Sequence, residues 1–141
     1  MKILIPVDGA ETARRAVEWV AQAMDGGRSA DIVLVNVRRG PTYLGELEPL
    51  EYETIERHER EQQQKLLARS LEHARSLGLT RTVIEAAQGT AGDEIVRTAN
   101  EKGVDQIVMG THGRGTARAV FLGSVAYRVA HLAPMPLTLV K

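Results

Sequence analysis

The sequence predicts an α/β fold of three layers, a five-stranded parallel sheet between two layers of helices. Three observations carry this prediction. Short apolar runs such as IVLVNV and DQIVM alternate with stretches of helical spacing along the 141 residues. The strongest of those runs are apolar at nearly every position, as strands buried on both faces are. Turn residues, mainly glycine, stand at most of the junctions.

Lys2 to Val7 reads as the first strand, broken by Asp8-Gly9. Apolar residues at Ala13, Val17, Val20, Ala21 and Met24 predict a helix from Glu11 to Met24, ended by Gly26-Gly27. Asp31 to Val37 is the second strand. Arg38 to Tyr52 contains Gly40, Pro41, Gly45 and Pro49 and reads as a long loop. Glu53 to Leu77 is dense in charge, with Leu66, Leu67, Leu71 and Ala74 along its later half. This predicts a long helix capped by Gly78, with its first turns projecting into solvent.

Thr80 to Ala87 is the third strand; Arg81 and Glu85 make it more polar than the others, which suits a sheet edge. Thr90 to Asp93 resembles a capping box with Asp in place of Glu, opening a helix that runs to Lys102 and stops at Gly103. Strand four follows at Asp105 to Met109. A glycine-containing loop, a helix from Ser124 to Leu132 and a fifth strand from Pro136 to Val140 complete the chain.

Strand–helix alternation predicts right-handed crossovers and a sheet covered on both faces. Strands one and four are the most apolar and belong together at the centre, which gives the order 3-2-1-4-5. The chain then reverses direction between strands one and four, and open α/β sheets bind ligands at that crevice. Asp8-Gly9 ends one of those strands and Gly110 the other.

Composition narrows the function. The length suits one domain, residues 1–141, large enough to bury about two thirds of its unfolded surface. Eighteen basic residues balance eighteen acidic ones, so the field expected of a nucleic-acid binder is absent. Cysteine is absent too, which suits the cytoplasm and excludes thiolate metal sites. The opening MKILIPVDGA resembles a signal start until Asp8 interrupts it. No run is long enough to span a membrane.

The most specific feature is GTHGRGTARAVFLGS, from Gly110 to Ser124. Two residues separate Gly110 from Gly113, nine separate Gly113 from Gly123, and Ser124 follows at once. A strand enters this loop and a helix leaves it. Glycines there allow positive φ and close approach of a ligand to the main chain. Free N–H groups and the dipole of the outgoing helix favour an anion. The expectation is a nucleotide phosphate site.

These residues resemble the universal stress protein family, in its nucleotide-binding branch. The pattern Gly-x2-Gly-x9-Gly-Ser is met by Gly110, Gly113, Gly123 and Ser124, and the ILIPVDG opening and HLAPMPLTLV close are also similar. The resemblance implies a Rossmann-like fold, akin to the adenine nucleotide alpha hydrolases, and a site for ATP or AMP. Pro6 and Val7 would line the adenine side, Val37 would touch adenine, and Asp8 would meet ribose or base. Met109 and Gly110 would flank the ribose. Gly113, Gly123, Ser124 and Val125 would hold phosphates through backbone N–H groups and the Ser124 hydroxyl. Mg2+ would accompany a triphosphate. Two departures, Ala10 after Asp8-Gly9 and Thr90-Ala91 after Gly89, leave the phosphate loop untouched.

Arg114 could meet a γ-phosphate, whereas His112 reads as solvated. His58, His73 and His131 lack metal-ligand spacing and read as surface residues. Trp19 reads as packing against the sheet or a rim, and Glu56 to Lys65 as a solvated helix face.

Catalysis is not expected beyond slow ATP hydrolysis. No Gly-Lys-Ser/Thr follows the loop, no lysine lies within it, and no residue stands out to orient a water. A phosphoacceptor receiver would need clustered acids after strand one, but Asp8 stands alone. Strand five, Pro136 to Val140, is an apolar edge suited to pairing with its own copy in a homodimer. The leading reading is a nucleotide-gated regulatory protein whose state a protein partner reads. The alternative is a nucleotide-independent interaction module of the same fold.

Overall fold

In the computed structural model, residues 1–40, 48–113 and 122–141 are described. Five parallel strands form one sheet: β1 Lys2–Pro6, β2 Asp31–Arg38, β3 Thr82–Gln88, β4 Gln106–Gly110 and β5 Leu137–Val140. Their order is β3-β2-β1-β4-β5, as the sequence predicts. The helices are α1 Glu11–Ala23, α2 Pro49–Ser76, α3 Ala91–Lys102 and α4 Ser124–Leu132.

Side-chain alternation along each strand divides the core in two. On one face Ile3, Ile5, Ile32 and Leu34 meet Ala16, Val17 and Val20 of α1 and Leu67 and Ala74 of α2. On the other, Leu4, Val33, Val35 and Ile107 meet Ile95 and Ala99 of α3 and Ala126 and Val129 of α4. The sheet is thus buried on both faces, which is why its central strands read as unbroken apolar runs. β3 lies at an edge, where Val83 is 57% exposed.

Local chemistry sets several boundaries. α2 begins at Pro49, earlier than the expected Glu53. Pro49 takes the first helical position, and Glu48 and Glu51 form a reciprocal capping box. The expected loop from Arg38 to Tyr52 is shorter for that reason, and residues 41–47 lie outside the described set. The box expected at Thr90 and Asp93 is not made: the Thr90 side chain caps nothing, and the shorter Asp93 carboxylate pairs with Arg128 at 3.0 Å instead. α3 ends as expected at Gly103, whose φ of 62° is left-handed and whose N–H returns to Ala99 and Asn100 carbonyls.

The charged run of α2 is not uniformly solvated. Gln63 is 5% exposed, and Glu56 lies inward against Arg38. His58 and His131 are exposed, as expected. His73 is half-buried instead, because it packs beside α1 with Nε2 3.7 Å from Glu18. Trp19 is 42% exposed on α1.

Candidate functional site

The site begins where β1 and β4 end. After β1 the chain must turn sharply into α1, and Gly9 supplies the left-handed φ of 81° that this needs. The Ala10 N–H donates to Asp8 Oδ1 at 2.9 Å, closing an Asx turn. The Asp8 carboxylate is thereby anchored at the crevice before any ligand arrives.

β4 ends at Gly110 against α1. A β-carbon on Gly110 would lie 2.4 Å from Thr12 Oγ1 and 2.8 Å from the Thr12 carbonyl carbon. The Thr12 hydroxyl donates to the His112 carbonyl, tying α1 to the segment after β4. The Thr111 hydroxyl and His112 Nδ1 are 2.9 Å apart. A β-carbon on Gly113 would come 3.0 Å from Asp8 Oδ2, and one on Gly123 would come 3.1 Å from the Thr111 carbonyl. None of these three glycines has the positive φ that the sequence suggested. Their requirement is steric: three chain segments converge too closely for side chains.

Two hydrogen bonds close the loop's ends. The Thr111 N–H donates to the Val140 carbonyl at 3.0 Å, and the Gly123 N–H donates to the Thr111 carbonyl at 2.7 Å. The second bond engages the Gly123 amide, one of the donors that the resemblance assigns to phosphate. Helix α4 starts at Ser124, and its cap, Gly123, has no side chain to cover the first turn. The N–H groups of Ser124 and Val125 have no acceptor among the described residues. They remain as the donors for an anion.

These pieces enclose a cavity of about 430 Å3, within the roughly 300–1,000 Å3 of small-molecule sites. Pro6, Val7 and Val37 form its apolar side, with Met109 and Gly110 at the end of β4. Asp8, Gly113, Gly123, Ser124 and Val125 line it as well. Every other predicted residue lines this wall; Arg114 lies outside the described residues. A larger hollow of about 610 Å3 lies at the opposite ends of the strands, against Met24, Leu77 and Leu79. It contains neither the strand-one turn nor a helix start, so the smaller cavity is the candidate.

Sequence reasoning missed several wall residues. Thr12, Asn36, Arg39, Ala91 and Ile95 all line the cavity. Asn36 left a signal, as the single polar residue within IVLVNV. Thr12 left none, because its partner His112 is a hundred residues away. Asp8 is the one carboxylate among the described lining residues, and none of them is lysine. No group of acids, histidines or cysteines able to hold a metal by itself occurs among the described residues.

Behind the cavity, Arg38 clasps Glu56 with Nη1 at 3.0 Å and Nη2 at 2.6 Å. The hydrogen bond from Arg38 holds the Glu56 carboxyl below its ordinary value, and the same bond raises the Arg38 guanidinium.

The sequence pattern described as the universal stress protein family matches residues 1–141. A universal stress protein of Thermus aquaticus, from the 3′ region of a QAH/OAS sulfhydrylase, is 34% identical over 99% of this chain and 97% of its own. Universal stress protein UspA from Lactobacillus plantarum superposes with a TM-score of 0.84 at 19% identity, covering all of this chain and 97% of that one. A universal stress protein from Archaeoglobus fulgidus, solved in complex with dAMP, gives 0.70 at 23% identity, over 100% and 98%. At those identities the two structures speak for the fold.

Proposed function

This chain belongs to the universal stress protein family, and on that premise we propose that it is an adenine-nucleotide-binding regulatory protein. One observation carries the reading. The unclaimed Ser124 and Val125 N–H groups open onto the same cavity as the anchored Asp8 carboxylate and the apolar ends of β1 and β2. An anion donor set, a hydroxyl acceptor and an apolar slot match phosphate, ribose and base in turn. The fold accommodates a ligand of this kind in the Archaeoglobus fulgidus protein.

In this reading the base lies against Pro6, Val7 and Val37, and Met109 and Gly110 flank the ribose beside Asp8. The phosphates approach Gly113 and the start of α4, with the Ser124 hydroxyl as a further donor. Gly123 contributes by lacking a side chain. ATP or AMP is the ligand, and Arg114 would meet a terminal phosphate. A lone carboxylate suits Mg2+ carried in largely by the phosphates of ATP. The protein binds rather than turns over its ligand, with ATP hydrolysis slow at most. Binding gates recognition by a protein partner in the cytoplasm. Two copies join along their β5 edges. Among the described residues no helix is long and apolar enough to cross a membrane.

The test is to denature freshly purified protein and identify what it releases, then titrate the emptied protein with ATP and AMP. Gly113→Ala, whose β-carbon would crowd only the Asp8 carboxylate among the described residues, should weaken binding, and circular dichroism checks that the fold is kept. Absence of any adenine compound, with no binding at millimolar ATP, would sink the proposal.

A further inference from the structure

Helix α2 contributes no residue to the cavity wall among the described residues. It is nevertheless bonded to the strand that forms that wall. Along β2 successive side chains point to opposite faces. Val35 and Val37 face the α3/α4 layer. Asn36 and Arg38 face α2, and each is held there by a polar contact.

Gln63 Nε2 donates to the Asn36 carbonyl at 2.9 Å, to Asn36 Oδ1 at 3.1 Å and to the Ala87 carbonyl at 2.9 Å. Asn36 Nδ2 in turn donates to the Val7 carbonyl at 2.6 Å. One amide of α2 therefore gathers the ends of β1, β2 and β3. Two helical turns earlier, Glu56 receives the two-pronged bond from Arg38, which also reaches Gln88 Oε1 at 3.1 Å. Residues 56 and 63 lie on one face of α2, and Val37 lies between the two residues of β2 that they hold.

We infer that α2 is the output element of this site. A ligand seated against Val7 and Val37 displaces or stiffens the end of β2, and the Asn36–Gln63 and Arg38–Glu56 contacts carry that change to α2. Both contacts are short and directional, and packed segments tend to switch between discrete arrangements. The outer face of α2 is long, charged and exposed, as a surface read by another protein would be. This inference rests on the nucleotide reading of the cavity. Gln63 and Glu56 are positioning residues in it and touch no ligand.

Hydrogen exchange on the full-length protein, with and without saturating ATP, tests the inference. Amides of the wall at residues 91–95 and 124–126 report occupancy, and those at residues 56–67 report transmission. Exchange should slow in both groups. Gln63→Leu and Glu56→Gln should keep the wall response and lose more than half of the α2 response. The second variant is nearly isosteric and decides the matter should the first fail to fold. An α2 segment unmoved by ATP while the wall is protected overturns the inference and spares the nucleotide reading. A full α2 response in both variants overturns it as well. If ATP protects neither group, the nucleotide reading falls and the output role falls with it.

Discussion

The α-carbon of Gly110 sits so close to Thr12 that an added β-carbon would fall 2.4 Å from Oγ1 and 2.6 Å from Cβ of that residue. This contact joins the end of β4 to the first turn of α1, and both residues line the crevice.

Gly110→Ala should therefore destabilise the fold by about 1–3 kcal/mol, the usual cost of overpacking. Thr12→Ala should not rescue it, because the Thr12 backbone itself lies 2.8 Å from the new atom. Urea unfolding at unchanged m-value measures the effect. A loss under about 0.5 kcal/mol, typical of neutral surface changes, would show that the two segments separate freely.

Asp8→Asn keeps an oxygen for the Ala10 N–H and removes the charge. ATP affinity should fall roughly ten- to hundredfold, the range for losing a hydrogen bond to a charged group. Calorimetric titration reads this directly. Unchanged affinity would remove Asp8 from the site while leaving its role in the turn.

Glu56 gives a pH signature. Its carboxyl is held below the ordinary 4.5 by Arg38, so the folded state favours its ionised form. The contribution is complete above the unfolded value and disappears as pH falls through the lower folded value. Wild type and Glu56→Gln should differ in stability by a constant amount from about pH 7 to about pH 5, and the gap should close with further acidification. A gap that persists at strongly acidic pH would refute the assignment.

Leu139 is 37% exposed on β5, at the edge of the sheet. Leu139→Lys should convert a dimer to a monomer in sedimentation at micromolar protein, because a charge on an open edge opposes strand pairing. A wild-type protein that is itself monomeric under those conditions would exclude the β5 pairing.

The strand order was legible because the two central strands are apolar on both faces, and the crevice because Asp8-Gly9 and Gly110 end those same strands. The start of α2 was hidden: Pro49 breaks a helix in its interior but opens one at its first position, and Glu48 stands at the cap where Ser, Thr, Asp or Asn is usual. The commitment of the Gly123 amide to Thr111 was illegible, since spacing shows where a glycine falls and not what its N–H meets. The bonds from Gln63 to β2 and β3 were hidden in a charged run, where one inward amide looks like its neighbours.

The strap from Val140 through Thr111 to Gly123 has a thermodynamic consequence. Three residues join the outermost strand to the start of the helix that would grip phosphate. If two copies pair along that strand, as proposed, self-association and occupancy of the crevice draw on a common set of main-chain bonds. Linked equilibria are reciprocal, so dilution that separates the subunits would also alter the apparent dissociation constant. Titrations run well above and well below the association midpoint would yield two different curves for one sequence.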